Sequence, residues 1–230
     1  MEIFMPNDKM ISIIRSNYEL LPVLNRFGLK LGFKDKTVKE ICEENYINPD
    51  FFLAIINTYN NKKYFPEKEL SSFSPLEIVK YLKATHIYYL EYLLPRIDDL
   101  LKELIRQNES KSQDLKMIEM FYRNYKQELV SHIREEEEMV FPYVIDLVQN
   151  KSKISSHPGI HAFEKEHSNV EIKLNDLKNL ILKYVNPDYD QNTCNEFITN
   201  LFRFEKDIMD HSRIEDKILI PMVLSMEKSV

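Results

Sequence analysis

His132 and Glu136 lie four residues apart in the run Ser131-His132-Ile133-Arg134-Glu135-Glu136, and His211 and Glu215 repeat that spacing near the C-terminus. On an α-helix, residues at i and i+4 share a face about one turn apart. Each pair would therefore present an imidazole beside a carboxylate. Both copies run on to an apolar residue and a proline nine and ten positions after the histidine, Phe141-Pro142 and Ile220-Pro221. The chemistry such pairs suit is metal ligation, with one nitrogen and one oxygen donor from each of two helices facing into a bundle.

Two further histidines extend the pattern. His86 and His167 fall on apolar stripes of helical period, 46 residues before His132 and 44 before His211 respectively. The sequence thus divides into two helical hairpins, each supplying a lone histidine from its first helix and a His-x-x-x-Glu pair from its second. Antiparallel helices with matched spacings could bring four imidazoles and two carboxylates to one level, as in carboxylate-bridged dinuclear sites. A cysteine-free set of nitrogen and oxygen donors suits iron, and manganese or zinc could use it too.

One such pair could arise by chance, and a lone histidine on an apolar stripe is commonly a satisfied core residue. Four histidines on four helices with two inward carboxylates are harder to explain so, because buried charge without compensation is costly. Other candidates carry less. His167 has its own +4 glutamate, Glu171. His157 and His161 are separated by Pro158-Gly159 and read as flanking a helix start. The acidic run Glu135 to Glu138 reads as a solvated face with only Glu136 inward, and Tyr88 to Tyr92 reads as packing. No Ser/His/Asp arrangement or phosphate-cradling glycine loop is present.

The elements that must position these residues are helical throughout. The chain has 230 residues, only three glycines, and 43% apolar with 30% charged side chains, the balance of a globular all-α protein. Residues 8–27 read as one helix, shortened or bent at Pro22. Thr37-Val38-Lys39-Glu40 is a capping box, and Asn48-Pro49 starts another helix. Ser74-Pro75-Leu76-Glu77 opens the first bundle helix; polar breaks at 108–113, 150–159 and 186–188 separate the other three. These divide the chain into a small helical N-terminal domain, 1–65, and an up-down-up-down four-helix bundle, 74–230. Residues 1–60 could dock on the bundle or on a second copy, as in a homodimer.

The helix–turn–helix rhythm of residues 37–59 lacks any Arg or Lys from Asp50 to Asn57, and the net charge is −6. Both argue against nucleic acid as a partner. No apolar run approaches membrane-spanning length, no signal peptide is evident, and Cys42 and Cys194 match no metal or redox spacing. A cytoplasmic protein is the expectation.

Residues 129–142, Phe163-Glu164-Lys165-Glu166-His167 and Asp207 to Glu215, with His86 ahead of Leu94-Pro95-Arg96-Ile97, resemble the repair-of-iron-centres family (the YtfE and ScdA type) of the hemerythrin-like superfamily. The resemblance covers about residues 74–225. It implies a non-haem di-iron centre held by His86, His132, His167 and His211, with Glu136 and Glu215 bridging. It further implies repair or protection of iron–sulfur clusters under nitrosative or oxidative stress, with iron–sulfur proteins as clients. The alternative is a hemerythrin-like binder or sensor of dioxygen or nitric oxide without repair activity. Asn25-Arg26-Phe27-Gly28-Leu29 and Thr37 to Cys42 resemble the family's N-terminal domain. Where that family usually carries Cys-Cys after the glycine, this chain has Lys30-Leu31-Gly32-Phe33.

Overall fold

The computed structural model describes residues 3–107, 113–149, 167–185 and 189–228, with only the backbone of Gln113 and of residues 167–171. The chain starts with α1 (Met10–Ser16), a 3-10 turn (Tyr18–Leu20) and α2 (Leu21–Arg26), where the sequence predicts a single helix over 8–27. Asn17 is the reason for the break. Its backbone is extended (φ −150°, ψ 92°) and its side chain caps the 3-10 turn through the Glu19 N–H. α3 (Val38–Glu44) begins with the Thr37–Glu40 capping box, both arms of which are made. In α4 (Pro49–Asn60), Asn48 accepts from the N–H groups of Asp50 and Phe51. Every residue of α4 from Phe51 to Asn60 is buried, which leaves this helix no exposed face for a groove. α5 (Glu67–Leu70) is a single turn that buries Leu70.

The bundle follows. Its first helix is α6 (Pro75–Tyr88) continued by α7 (Leu94–Gln107), and its second is α8 (Gln113–Glu135) continued by α9 (Phe141–Gln149). The third is α10 (His167–Tyr184), and the fourth is α11 (Gln191–Ile214) continued by α12 (Ile220–Glu227). Helix α10 packs on α8 and α11, α11 on α7, and α6 on α9, which closes the ring. His157 and His161 and the start of the third helix lie outside the described residues.

Among the described residues, three of the four bundle helices are interrupted in the same way. One π-helical turn, with its i→i+5 hydrogen bond, occupies Tyr89–Leu93, Glu136–Val140 and Glu215–Leu219. Each is followed, one residue on, by a proline: Pro95, Pro142 and Pro221. Proline lacks the N–H and crowds the carbonyl four residues back, so a regular α-turn cannot pass through it unchanged. A wider turn relieves that crowding.

The apolar core falls into two clusters on either side of these turns. One joins the N-terminal helices to Ile78–Leu82, to Val140–Leu147 and to Ile214–Val223. The other fills the far end of the bundle with Tyr89–Leu104, Leu115–Ile133, Leu174–Ile181 and Cys194–Ile208. The N-terminal helices therefore share a core with one end of the bundle. Phe27 is the aromatic pin, its ring 5.0 Å from Phe52 and 5.2 Å from Tyr81 of α6.

Candidate metal centre

Between the two clusters lies a layer of buried His and Glu side chains. His86 comes from α6, and Glu136 and Glu215 open the second and third π-turns. His211, one turn before Glu215, comes from α11. All four are buried, and one donor atom from each lies within 4.8 Å of the rest. His86 Nε2 is 3.2 Å from His211 Nε2, 3.3 Å from Glu136 Oε2 and 4.0 Å from Glu215 Oε1. His211 Nε2 is 3.0 Å from Glu215 Oε1.

His132 stands one step out. Its Nε2 is 3.3 Å from Glu136 Oε1, while the other oxygen of that carboxylate faces His86. Glu136 thus lies between two imidazoles with one oxygen toward each. His167 is the first residue of α10; its side chain and that of Glu171 lie outside the described residues.

Two contributors are invisible to a helical wheel of uniform pitch. Glu137, expected on the solvated face, turns toward α6 and is half-buried. Its Oε1 is 3.0 Å from His86 Nδ1 and its Oε2 is 3.0 Å from Lys83 Nζ. The π-turn accounts for this, because a wider turn moves successive residues round the axis by less than an α-turn does and so keeps Glu137 near the face of Glu136. Tyr89, read as packing, lines the same small cavity as His132, Glu136, His211, Ser212 and Glu215. It opens the first π-turn, six residues before Pro95, as Glu136 and Glu215 open theirs six residues before Pro142 and Pro221. That shared distance to proline was the available signal.

The electrostatics favour a cation. Burial pushes the His86 imidazole down, but hydrogen bonds to Glu136 and Glu137 and the charges of Glu136 and Glu215 outweigh it. The group is held up at about 9. The field that keeps a proton there would equally attract a metal ion. Glu137 is pushed up by burial, yet its hydrogen bonds to His86 and Lys83 leave it below the usual carboxylate range. Histidines that bind metal through one nitrogen are typically oriented by a carboxylate or carbonyl on the other. Glu137 stands in that relation to His86, whose ring also stacks on Phe141 (5.4 Å, 17°).

A helical bundle whose core carries an inward layer of histidines and glutamates defines a class of metal-binding four-helix proteins, and the donor set here fits a metal site. The hemerythrin HHE cation binding domain matches residues 78–223, and the chain belongs to that family. The iron–sulfur cluster repair protein YtfE of Yersinia pestis (strain Pestoides F) is 29% identical over 101 residues. The YtfE protein of Yersinia pseudotuberculosis (serotype O:1b, strain IP 31758) is similar to the same degree. Each match spans 44% of this chain and 44% of the relative. Among the described residues no helix is long and apolar enough to cross a membrane.

Proposed function

We propose that the layer holds a non-haem, carboxylate-bridged di-iron centre, with His86, His132, His167 and His211 as terminal ligands and Glu136 and Glu215 as bridges. The observation that carries this reading is the placing of Glu136, one oxygen 3.3 Å from His86 and the other 3.3 Å from His132. A carboxylate so held can serve two ions at once. Iron suits this donor set of imidazoles and carboxylates without thiolate better than softer metals do.

The function this supports is repair or protection of iron–sulfur clusters under nitrosative or oxidative stress in the cytoplasm, with iron–sulfur proteins as clients. It rests on the centre together with the likeness to proteins named for that repair. When bound, iron would supply binding of small gases and a labile pool for transfer. The chain's own part is to hold and shield. Glu137 accepts from His86 Nδ1 and fixes which nitrogen faces inward. The two apolar clusters keep bulk water from both sides of the layer.

A dioxygen- or nitric-oxide-binding sensor is the second reading, and one observation favours it. Where the repair-of-iron-centres family usually carries vicinal cysteines this chain reads Lys30-Leu31-Gly32-Phe33-Lys34, and Cys42 is buried with its thiol pushed up to about 12 by desolvation. The N-terminal helices thus offer no thiolate for iron or nitrosyl handling. Metal analysis and the visible spectrum, on protein purified without chelator, test the centre. About two irons per chain, lost in a His132→Ala/His211→Ala variant, are expected; protein that stays folded and takes up no iron refutes it. Transfer of iron to an apo-cluster protein separates repair from sensing.

A further inference from the structure

The N-terminal helices touch the metal layer through one buried cation. Gly28 (φ +75°) ends α2, and Leu29 N–H returns to the Leu24 carbonyl at 3.1 Å. This leaves Arg26, in the last turn, aimed into the bundle with its side chain 1% exposed. The guanidinium donates to Asp207 Oδ2 (2.6 Å) and to the hydroxyls of Tyr81 (3.2 Å) and Tyr59 (3.3 Å). It also lies over the Tyr88 ring at 4.9 Å. The other oxygen of Asp207 accepts from the Tyr89 hydroxyl at 2.6 Å. Tyr89 then meets His211 edge to face, ring centroids 5.6 Å apart at 72°.

The two inner imidazoles are held by different means. His86 has Glu137 on its outer nitrogen. His211 Nδ1 is buried and meets no hydrogen-bonding group among the described residues. A metal-binding histidine without an acceptor on its outer nitrogen must be oriented by packing instead. Besides His86, whose ring lies 5.0 Å away, Tyr89 packs on it, and the Tyr89 hydroxyl is tied through Asp207 to a residue 181 positions earlier than that aspartate.

We propose that Arg26, Asp207 and Tyr89 form an interdomain strut that positions His211, so that seating of the N-terminal helices and metal binding reinforce one another. The proposal rests on the metal-centre reading above. Coupling of this kind is reciprocal: if Arg26 tightens metal binding, metal must tighten the seating of α2 by the same factor. Arg26 is thus a positioning residue acting through two others, and the N-terminal helices become a handle by which a partner could loosen or tighten the centre.

The test uses the full chain under anaerobic conditions, with Fe(II) titrated against a chromophoric chelator and hydrogen exchange followed at residues 21–26. Tyr89→Phe keeps the ring and removes only the tie to Asp207; Arg26→Met removes the charge at similar length. Fe(II) is expected to slow exchange in α2 of the wild type. Each variant should bind Fe(II) about 5- to 100-fold more weakly and lose that metal-dependent protection. Tyr89→Phe serves even where Arg26→Met fails to fold. Wild type that binds Fe(II) while the Tyr89→Phe variant matches its affinity and protection overturns the strut and leaves the metal centre standing. Wild type that binds no Fe(II) overturns both.

Discussion

Replacing Glu215 with glutamine keeps the shape of the side chain and removes one charge from a crowded layer. Three carboxylates, Glu136, Glu137 and Glu215, surround His86. At an effective dielectric of ~20, repulsion between Glu136 and Glu215 oxygens within 4.8 Å of each other is about 3.5 kcal/mol. Attraction between Glu215 and a protonated His86 at 4.0 Å is about 4 kcal/mol on the same basis. The two nearly cancel, and the contact of Glu215 Oε1 with His211 Nε2 at 3.0 Å can be kept by the oxygen of a glutamine amide. What remains is the penalty for keeping a carboxylate out of water, several kcal/mol per ion. In metal-free protein, Glu215→Gln should therefore gain roughly 1–3 kcal/mol. For a chain of this size each kcal/mol raises Tm by about 2–4 °C. With iron the difference shrinks and, at the lower end of that range, reverses: metal at ~100 times its Kd stabilises the wild type by about 2.7 kcal/mol, and the variant, short of a bridge, forgoes most of this. The assay is thermal unfolding with chelator and with anaerobic Fe(II), wild type and variant side by side. A metal-free variant that melts below wild type, or equal stabilisation of both by Fe(II), would falsify the reasoning.

Glu137→Gln removes no proposed ligand but weakens the hold on His86 Nδ1, so iron affinity should fall about 10- to 100-fold with unchanged stoichiometry, read by chelator competition. In protein stripped of metal, His86 keeps to about 9 a proton that an unperturbed histidine releases near 6.5. Its stabilising contribution is full below pH 6.5 and lost as pH rises through 9, so Tm should drop across that window; a flat profile would contradict the field described around it. Cys42, with its thiol pushed up to about 12, should resist iodoacetamide at pH 8 in the native protein and react only on unfolding, as mass spectrometry would show.

The pairing of His132 with Glu136 and of His211 with Glu215 was legible in the sequence because it depends on local geometry. A His and a Glu four apart on a helix must share a face, and the capping signals at Thr37, Asn48 and Ser74 each open the helix expected of them. What escaped reading was of two kinds. Glu137 and Tyr89 depend on where the helical pitch changes, which a uniform period cannot show. Arg26 meets Asp207 across 181 residues, a contact set by how the N-terminal helices seat on the bundle and by no local pattern. The break at Asn17 belongs with the second kind. Its side-chain amide donates to the side-chain Oδ1 of Asn60 at the end of α4, a tertiary contact that overrides continuous helical propensity.

The π-turns explain how one bundle can serve two apolar clusters and a polar layer between them. Upstream of its turn, α11 points Phe204 and Ile208 into the far cluster; downstream, α12 points Ile220 and Val223 into the cluster shared with the N-terminal helices. An extra residue in the widened turn gives the layer its own register while both apolar stripes stay buried. Deleting one exposed turn residue, Lys217, together with Pro221→Ala should close an ordinary α-turn and preserve the phase on either side. The price is a shift of about 1.5 Å along the axis between His211 and everything beyond the turn. Folding should survive, with Tm near or above that of wild type, because no buried side chain is removed. Iron affinity should fall at least about tenfold, since the deletion rebuilds the turn that carries Glu215, and a ligand displaced by an ångström or more no longer converges with the rest. If the deletion variant binds iron as wild type does, the π-turns serve packing alone and the proline spacing carries no information about the centre. If it folds well and binds weakly, the six-residue interval from Glu136 to Pro142 and from Glu215 to Pro221 belongs to the metal site as much as the four-residue interval from histidine to glutamate.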